Sequence, residues 1–328
     1  MSKIRIGIVG YGNVGRGAAK AVKAASDMEL KAVFTRREPV SLSINDNNIA
    51  VLPVSSAEKK VDDIDVMILC GGSAVDLPEQ GPYFASMFNI VDSYDTHAKI
   101  PDYMKSIDAA INTADKKTTA IISAGWDPGP LSMIRALSEA ILPDGITNTF
   151  WGKGVSQGHS DAIRQISGVS HAVQYTIPIE TAVETVRSGN APVLEPIHKM
   201  LRECFVVVEP GTDKAEIDAK IKNMPHYFKD YDTTVHFIDA GEFFSKHTKM
   251  PHGGMVFRSG NTGDNKHVME FSLKLDSNPE FTGSIMTAYA RAAFRMPREG
   301  FFGAKTVFDV PLSYLSDKDR LTLIKELL

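Results

Sequence analysis

The sequence predicts an α/β protein: a Rossmann-type, doubly wound parallel sheet plus a second α+β domain. Three observations carry this. An apolar run, KIRIGIV at residues 3–9, leads straight into Gly10-Tyr11-Gly12-Asn13-Val14-Gly15. Strand-like runs then alternate with helix-like stretches to about residue 125, as a parallel sheet wound with helices requires. Beyond that point Gly-rich polar stretches and alternating apolar/polar runs take over, the pattern of antiparallel strands with one covered face.

The first run is apolar enough for a buried parallel strand. Residues 14–25, VGRGAAKAVKAA, are Ala-rich and predict a helix. Strands follow at ELKAVFT, 29–35, and at DIDVMILC, 63–70, the latter closing at Gly71-Gly72. Residues 78–88 suit a helix starting near Pro78, NIVD at 89–92 a short strand, 101–115 a helix and TTAIISA at 118–124 a further strand. Right-handed crossovers place helices on both faces. NTFWGKGVSQGHSD at 148–161 reads as Gly-rich and polar. Strands are predicted at 204–210, 233–239, 253–260 and 266–275, with an amphipathic helix at 213–223. FTGSIMTAYARAAFRM at 281–296 and the C-terminal DKDRLTLIKELL are helices. The expected domains are 1–125, completed by C-terminal helices within 280–328, and 126–279.

Composition narrows the function classes. The 328 residues are 43% hydrophobic and 23% charged, with 36 basic and 40 acidic side chains and a net charge of −4. Ordinary globular balance without a basic run gives no sign of a nucleic-acid or anionic-membrane partner. Only Cys70 and Cys204 are present, too few for a disulfide framework or a zinc motif. The start enters a strand at once and no apolar stretch reaches the ~20 residues a membrane helix needs. A cytoplasmic protein with no metal is therefore expected.

The glycine hexad between strand and helix is a dinucleotide-binding pattern. Gly10 permits the tight turn, Gly12 lets backbone approach a pyrophosphate, and Gly15 allows close helix–strand packing. The helix start then offers free N–H groups to phosphate. After the second strand an NAD protein usually carries an acid for the ribose 2′-hydroxyl. Here stand Thr35, Arg36 and Arg37. Guanidinium groups match a 2′-phosphate with paired charged hydrogen bonds, and a carboxylate would repel it. The expected cofactor is NADP. Cys70, Gly71, Gly72 and Ser73, closing a later strand, would line the same crevice.

GYGNVG, TRR, CGGSAVDLPEQGP, DSYDTH, GWDPG, FWGKGVSQGHSDA, VQYTIP and MPHGG together carry a resemblance over essentially the whole chain. The sequence resembles the meso-diaminopimelate dehydrogenase family. The resemblance implies a homodimeric NADP-dependent dehydrogenase that reversibly deaminates the D-centre of meso-2,6-diaminopimelate. The products would be L-2-amino-6-oxopimelate, which cyclises to tetrahydrodipicolinate, with ammonia and NADPH, in lysine and cell-wall precursor synthesis. It places Gly12, Asn13, Val14 and Gly15, Arg36 and Arg37, Cys70 to Ser73, Ser93, Tyr94 and Asp95, and Ala124, Gly125, Trp126, Asp127 and Pro128 against the cofactor. It also gives Asp95 and Asp127 to the substrate's reacting end. Trp151, Gln157 and Gly158 would line the pocket, and Thr176, Arg202, His252 and Asn278 would hold the distal end.

Such a substrate is a zwitterion at both ends, so its site needs carboxylates for an ammonium and donors for a carboxylate, in separate places. The amine must be neutral before hydride leaves, so a base is required. Asp95 or Asp127 serves if burial raises its pKa. His159 is a further candidate for that role, against the blander reading of a structural hydrogen-bonder. Two other functions fit the same motifs: a dehydrogenase of broader D-amino-acid specificity, and a non-catalytic NADP-binding sensor.

Overall fold

The structure, a computed structural model, describes residues 2–42, 44, 48–225 and 227–328. In chain order the elements begin with β1 (Ile4–Val9), α1 (Asn13–Ala24), β2 (Met28–Thr35), β3 (Ala50–Pro53), β4 (Val66–Leu69) and α2 (Leu77–Ala85). Next come β5 (Asn89–Asp92), α3 (Ile100–Thr113), β6 (Thr119–Ile121), α4 (Pro130–Ile141), β7 (Gly145–Trp151) and β8 (Gly154–Val155). Then follow α5 (Gln157–Arg164), β9 (Val169–Pro178), α6 (Glu180–Arg187), β10 (Met200–Val208), α7 (Lys214–Lys222) and β11 (Thr233–Phe237). The chain closes with α8 (Ala240–Lys246), β12 (His252–Thr262), β13 (Asn265–Leu275), α9 (Asn278–Arg295), β14 (Gly303–Lys305) and α10 (Arg320–Leu327). Two compact units result, Met1–Met133 with Pro279–Leu328, and Ile134–Asn278.

The first unit is built on a seven-stranded sheet in the order β14-β6-β5-β4-β1-β2-β3. Every pairing in it is parallel. The strand order reverses beside β1, which is the point where such sheets open a ligand crevice. Val9, Phe34, Leu69 and Ile90 share one buried cluster with Leu77 and Phe84 of α2 and Ile107 of α3. Their neighbours Ile8, Val33, Ile68 and Val91 are equally buried, so the strands are covered on both faces, as the doubly wound class demands.

Helix α9 packs against α1 through glycines. A Cβ on Gly17 would lie 2.7 Å from the Glu280 Cα, and one on Gly283 would lie 2.3 Å from the Ala18 nitrogen. Arg291 of α9 clamps Asp27 with two 2.8 Å bonds. We expect Gly283→Val to overpack this crossing and cost about 2 kcal/mol of stability. Thermal denaturation would read it, and an unchanged Tm would mean that the helices are not in close contact there.

The second unit holds two sheets, β11-β10-β9-β8 and β13-β12-β7. All pairings are antiparallel except β10 with β11. Cys204 is buried between β10 and helices α5 and α7, with Ile163, Ile217 and Ile221. Phe150 and Phe257 meet edge-on, their centroids 5.9 Å apart, over Val183 and Val186 of α6.

Two stretches differ from the sequence reading. The strand expected over 118–124 stops at Ile121, because Ser123 turns the chain with a φ of +57°. The Gly-rich polar stretch 148–161, to which the sequence reading assigns no element, forms the end of β7, β8 and the start of α5. Three of its polar residues, Asn148, Thr149 and Ser160, are buried, and the Asn148 amide donates to the Pro192 carbonyl at 3.1 Å.

Candidate active site

The glycine turn is set by close contacts. Gly10 ends β1 with a φ of +89°, a conformation that costs glycine little. A Cβ on Gly15 would stand 2.0 Å from the Gly10 carbonyl oxygen, so α1 starts this close to β1 only with glycine there. Gly12 differs: nothing lies within 4 Å of where its Cβ would be. Its bare backbone faces open space at the start of α1, whose first turn has no acid and no side-chain cap. Free N–H groups and the positive end of the helix dipole are thus directed at one spot.

A cavity of about 390 Å³ opens on this turn, lined by the loops after β1, β2 and β4, from Gly10 to Gly12, Thr35 to Arg37 and Cys70 to Gly72. Arg36 is oriented there by a residue that the sequence reading missed. Its two terminal nitrogens donate to the Asp76 carboxylate at 2.7 and 3.2 Å. Asp76 also accepts the Gly72 N–H at 2.8 Å. Arg37 donates to the Tyr11 carbonyl at 3.0 Å, and its N–H reaches the Thr35 hydroxyl. The only signal for Asp76 was its place just after the Gly71-Gly72 turn, at a parallel strand's carboxyl end. Part of Cys70 is accessible, but its thiol is enclosed, and burial pushes it up to about 12. It fills space rather than acting as a nucleophile.

Two further loops leave the sheet at β5 and β6. Asp95 is exposed, and its N–H is held by the Ser73 hydroxyl at 2.8 Å. The burial that the sequence reading required of a base is therefore not supplied at Asp95. Asp127 is half-buried and accepts a long, 3.4 Å bond from Ser132. Its loop closes on Gly129, where a Cβ would meet the Gly125 carbonyl oxygen at 1.8 Å. Ser93 is half-buried and Ala124, Gly125 and Pro128 are buried, while Trp126 is 9% exposed. Tyr94 turns inward and stacks on Tyr103, centroids 4.2 Å apart. Its ring faces the core, not the crevice. Asn13, Val14, Gly15 and Ser73 do not line the cavity described above.

In the second unit, register gathers residues that lie far apart in sequence. Gly154 pairs with Thr176, and Thr176 with Arg202. A Cβ on Gly154 would stand 2.4 Å from the Cα of His252. Thr176, Arg202 and His252 are thus brought to one row across adjacent strands. Arg202 is 7% exposed. Its guanidinium lies 4.0 Å above the Tyr231 ring and donates from Nη1 to the Thr176 hydroxyl. Its Nε and the nearby Gln174 Oε1 are buried without a hydrogen-bond partner. Among the described residues no carboxylate pairs with it, and burial lowers its pKa, with Tyr231 opposing.

Gln157 and Gly158 are exposed at the start of α5, and Trp151 is half-buried at the end of β7. The Asn278 N–H bonds the Met250 carbonyl at 2.9 Å, two residues before His252. His159 accepts or donates a 2.7 Å bond with the Ser156 hydroxyl and meets Phe228 edge-on. Burial and the Arg202 charge pull its pKa down to about 4, which leaves it neutral at pH 7 and a weak base. Among the described residues no group of three His, Cys, Asp or Glu side chains could hold a metal ion. Nor, among them, is any helix long and apolar enough to cross a membrane.

Comparison with known proteins gives these clusters a context. The family described as "Diaminopimelic acid dehydrogenase C-terminal domain" matches residues 125–277. A meso-diaminopimelate D-dehydrogenase of Ureibacillus thermosphaericus is 59% identical over the full length of both chains. The Corynebacterium glutamicum DAP dehydrogenase, solved in complex with DAP, is 44% identical with a TM-score of 0.92, both chains covered completely. An engineered D-amino acid dehydrogenase bound to NADP+ is 42% identical with a TM-score of 0.87, again over both full chains. With identity of this order along its whole length, the chain belongs to the meso-diaminopimelate D-dehydrogenase family.

Proposed function

We propose that the chain catalyses the reversible NADP-dependent oxidative deamination of meso-2,6-diaminopimelate at its D-centre. Water is consumed, and the products are L-2-amino-6-oxopimelate, which cyclises to tetrahydrodipicolinate, with ammonia, NADPH and a proton. The observation that carries this reading is Arg202: a buried guanidinium with an orphaned Nε and no carboxylate beside it among the described residues. A buried charge left unpaired is costly, so such a group is a site built for an anion. In this reading Arg202, Thr176, His252 and Asn278 receive the distal L-end, and Trp151, Gln157 and Gly158 line the pocket beside them. Asp95 and Asp127 hold the ammonium of the D-end, and Asp127, the half-buried one of the two, takes its proton. Each end of this substrate carries both an ammonium and a carboxylate, so carboxylates for the one charge and a guanidinium for the other are both required.

The crevice of the first unit fits NADP by its own chemistry. Gly12 leaves room for backbone to approach a pyrophosphate, and Arg36 and Arg37 present guanidinium donors where an NAD protein has an acid. NADP, when bound, supplies the hydride acceptor. The protein's part is to orient the D-carbon toward it, and orientation of this kind contributes several kcal/mol, of the ~7–11 available from well-placed reactants. The same reading makes the protein a cytoplasmic homodimer of lysine and cell-wall precursor synthesis, with the second unit serving substrate binding and dimerisation.

The alternative, broader D-amino-acid specificity, has an engineered D-amino acid dehydrogenase at 42% identity, below the 59% of a meso-diaminopimelate D-dehydrogenase. Steady-state NADPH production separates the two. We expect turnover with meso-diaminopimelate and NADP, little with NAD, and none with the LL isomer. D-alanine or D-lysine turning over as well as meso-diaminopimelate would establish the second reading instead. Failure to reduce NADP with any amino acid would leave only a cofactor-binding sensor.

A further inference from the structure

The carboxylate at the end of β5, Asp92, is 0% exposed and has no part in the roles assigned above. It is surrounded by donors. Oδ1 accepts the Tyr94 N–H at 3.0 Å and the Ser123 N–H at 2.9 Å. Oδ2 accepts the Tyr103 hydroxyl at 2.7 Å. The Asp92 carbonyl accepts the Ala124 N–H at 2.8 Å. Tyr94 immediately precedes Asp95, and Ser123 and Ala124 open the loop that ends at Asp127. One side chain therefore ties the two loops that carry the two active-site carboxylates.

Resting on the function proposed above, we propose that Asp92, braced by Tyr103, is the positioning residue that sets Asp95 and Asp127 relative to each other. Two features show that the arrangement is held rather than incidental. Ser123 sits at φ +57°, a left-handed conformation that costs a non-glycine residue free energy and persists only where its surroundings over-determine it. The Asp92 bond to its N–H is that constraint. On the other side, Gly81 stands inside α2, where glycine weakens a helix. A Cβ there would meet the Tyr103 hydroxyl oxygen at 2.0 Å, so the glycine makes the room that the hydroxyl needs to reach Asp92. Burial and the neighbouring Asp92 charge push the Tyr103 phenol far up, which keeps it the proton donor in this bond. Burial raises the pKa of the Asp92 carboxyl, with the bonds from Tyr94, Ser123 and Tyr103 opposing it. Every one of those partners is a donor, so both side-chain oxygens are held as acceptors.

The full-length Tyr103→Phe variant removes one hydroxyl and leaves the ring stack with Tyr94 in place. With meso-diaminopimelate we expect kcat to fall about tenfold while the NADP KM stays within about twofold. The primary deuterium isotope effect, read with substrate labelled at the D-carbon, should rise as hydride transfer becomes rate-limiting. Asp92→Asn should act in the same direction and more strongly. If it fails to fold, Tyr103→Phe alone decides. Wild-type kcat and isotope effect in Tyr103→Phe would overturn the proposal. So would a loss of activity that tracks Tm and returns on cooling the assay, since that is stability alone. The wild-type protein assayed beside them tests the substrate reading separately. Should it prefer another D-amino acid, the same comparison is made with that substrate, whose ammonium needs the same two carboxylates.

Discussion

Replacing Arg36 with glutamate is expected to raise the NADP Michaelis constant by about two orders of magnitude, while the NAD constant moves by less than about threefold. The size follows from losing charge-assisted bonds to a phosphate and adding a repelling carboxylate, each on the order of 1.5–3 kcal/mol. The structure sharpens the expectation in one respect. Arg36 is paired with Asp76 by two bonds, so the substitution also strips Asp76 of its arginine and leaves a second carboxylate beside the site of the 2′-phosphate. The NAD complex carries no phosphate there and loses little. Initial rates at saturating diaminopimelate, with each cofactor varied, measure both constants. An unchanged preference for NADP would show that the arginine pair is not what reads the 2′-phosphate.

The fold was readable from the sequence wherever local pattern and tertiary role coincide. Ile6 to Val9 are buried on both faces and look it, and Gly10, Gly12 and Gly15 have distinct spacings because backbone geometry demands them. Reading failed where burial is polar or where position depends on partners distant in the chain. Asn148 and Thr149 lie in a polar stretch to which the sequence assigns no strand, yet both are buried in β7, where the Asn148 amide donates to a carbonyl 44 residues away. Helices α4, α6 and α8 have 12, 8 and 7 residues, and such short segments are stabilised more by packing than by propensity.

The candidate site divides in the same way. The Arg36-Arg37 pair is visible in sequence, but Asp76, 40 residues on, joins it only because β4 lies beside β1 and β2 beyond. Likewise Thr176, Arg202 and His252 each have a bland reading alone. Strand register brings them together, and register is not local information. Asp92 is the extreme case: nothing distinguishes the first Asp of DSYD from the second until one is seen buried under three donors and the other exposed.

Arg202→Met should separate function from stability most cleanly. Removing one partner of a buried charge pair typically costs about 2–5 kcal/mol. In kcat/KM for meso-diaminopimelate that corresponds to a fall of roughly two to three orders of magnitude. Stability should behave oppositely. In the protein alone, the guanidinium is buried with Nε orphaned and burial working against its charge. An apolar side chain of similar bulk in such a place is often neutral or stabilising. Tm is therefore expected to hold or rise while activity is lost, the behaviour of a residue kept for function at the expense of stability. NADP affinity should not change, because the glycine turn and the arginine pair stand on the other unit. D-alanine has no distal carboxylate to lose, so its turnover should fall far less, and the variant should move toward the broader specificity. Undiminished kcat/KM with meso-diaminopimelate would mean that this guanidinium is not the anion site, and the distal end would then have to be sought at His252 and Asn278 alone.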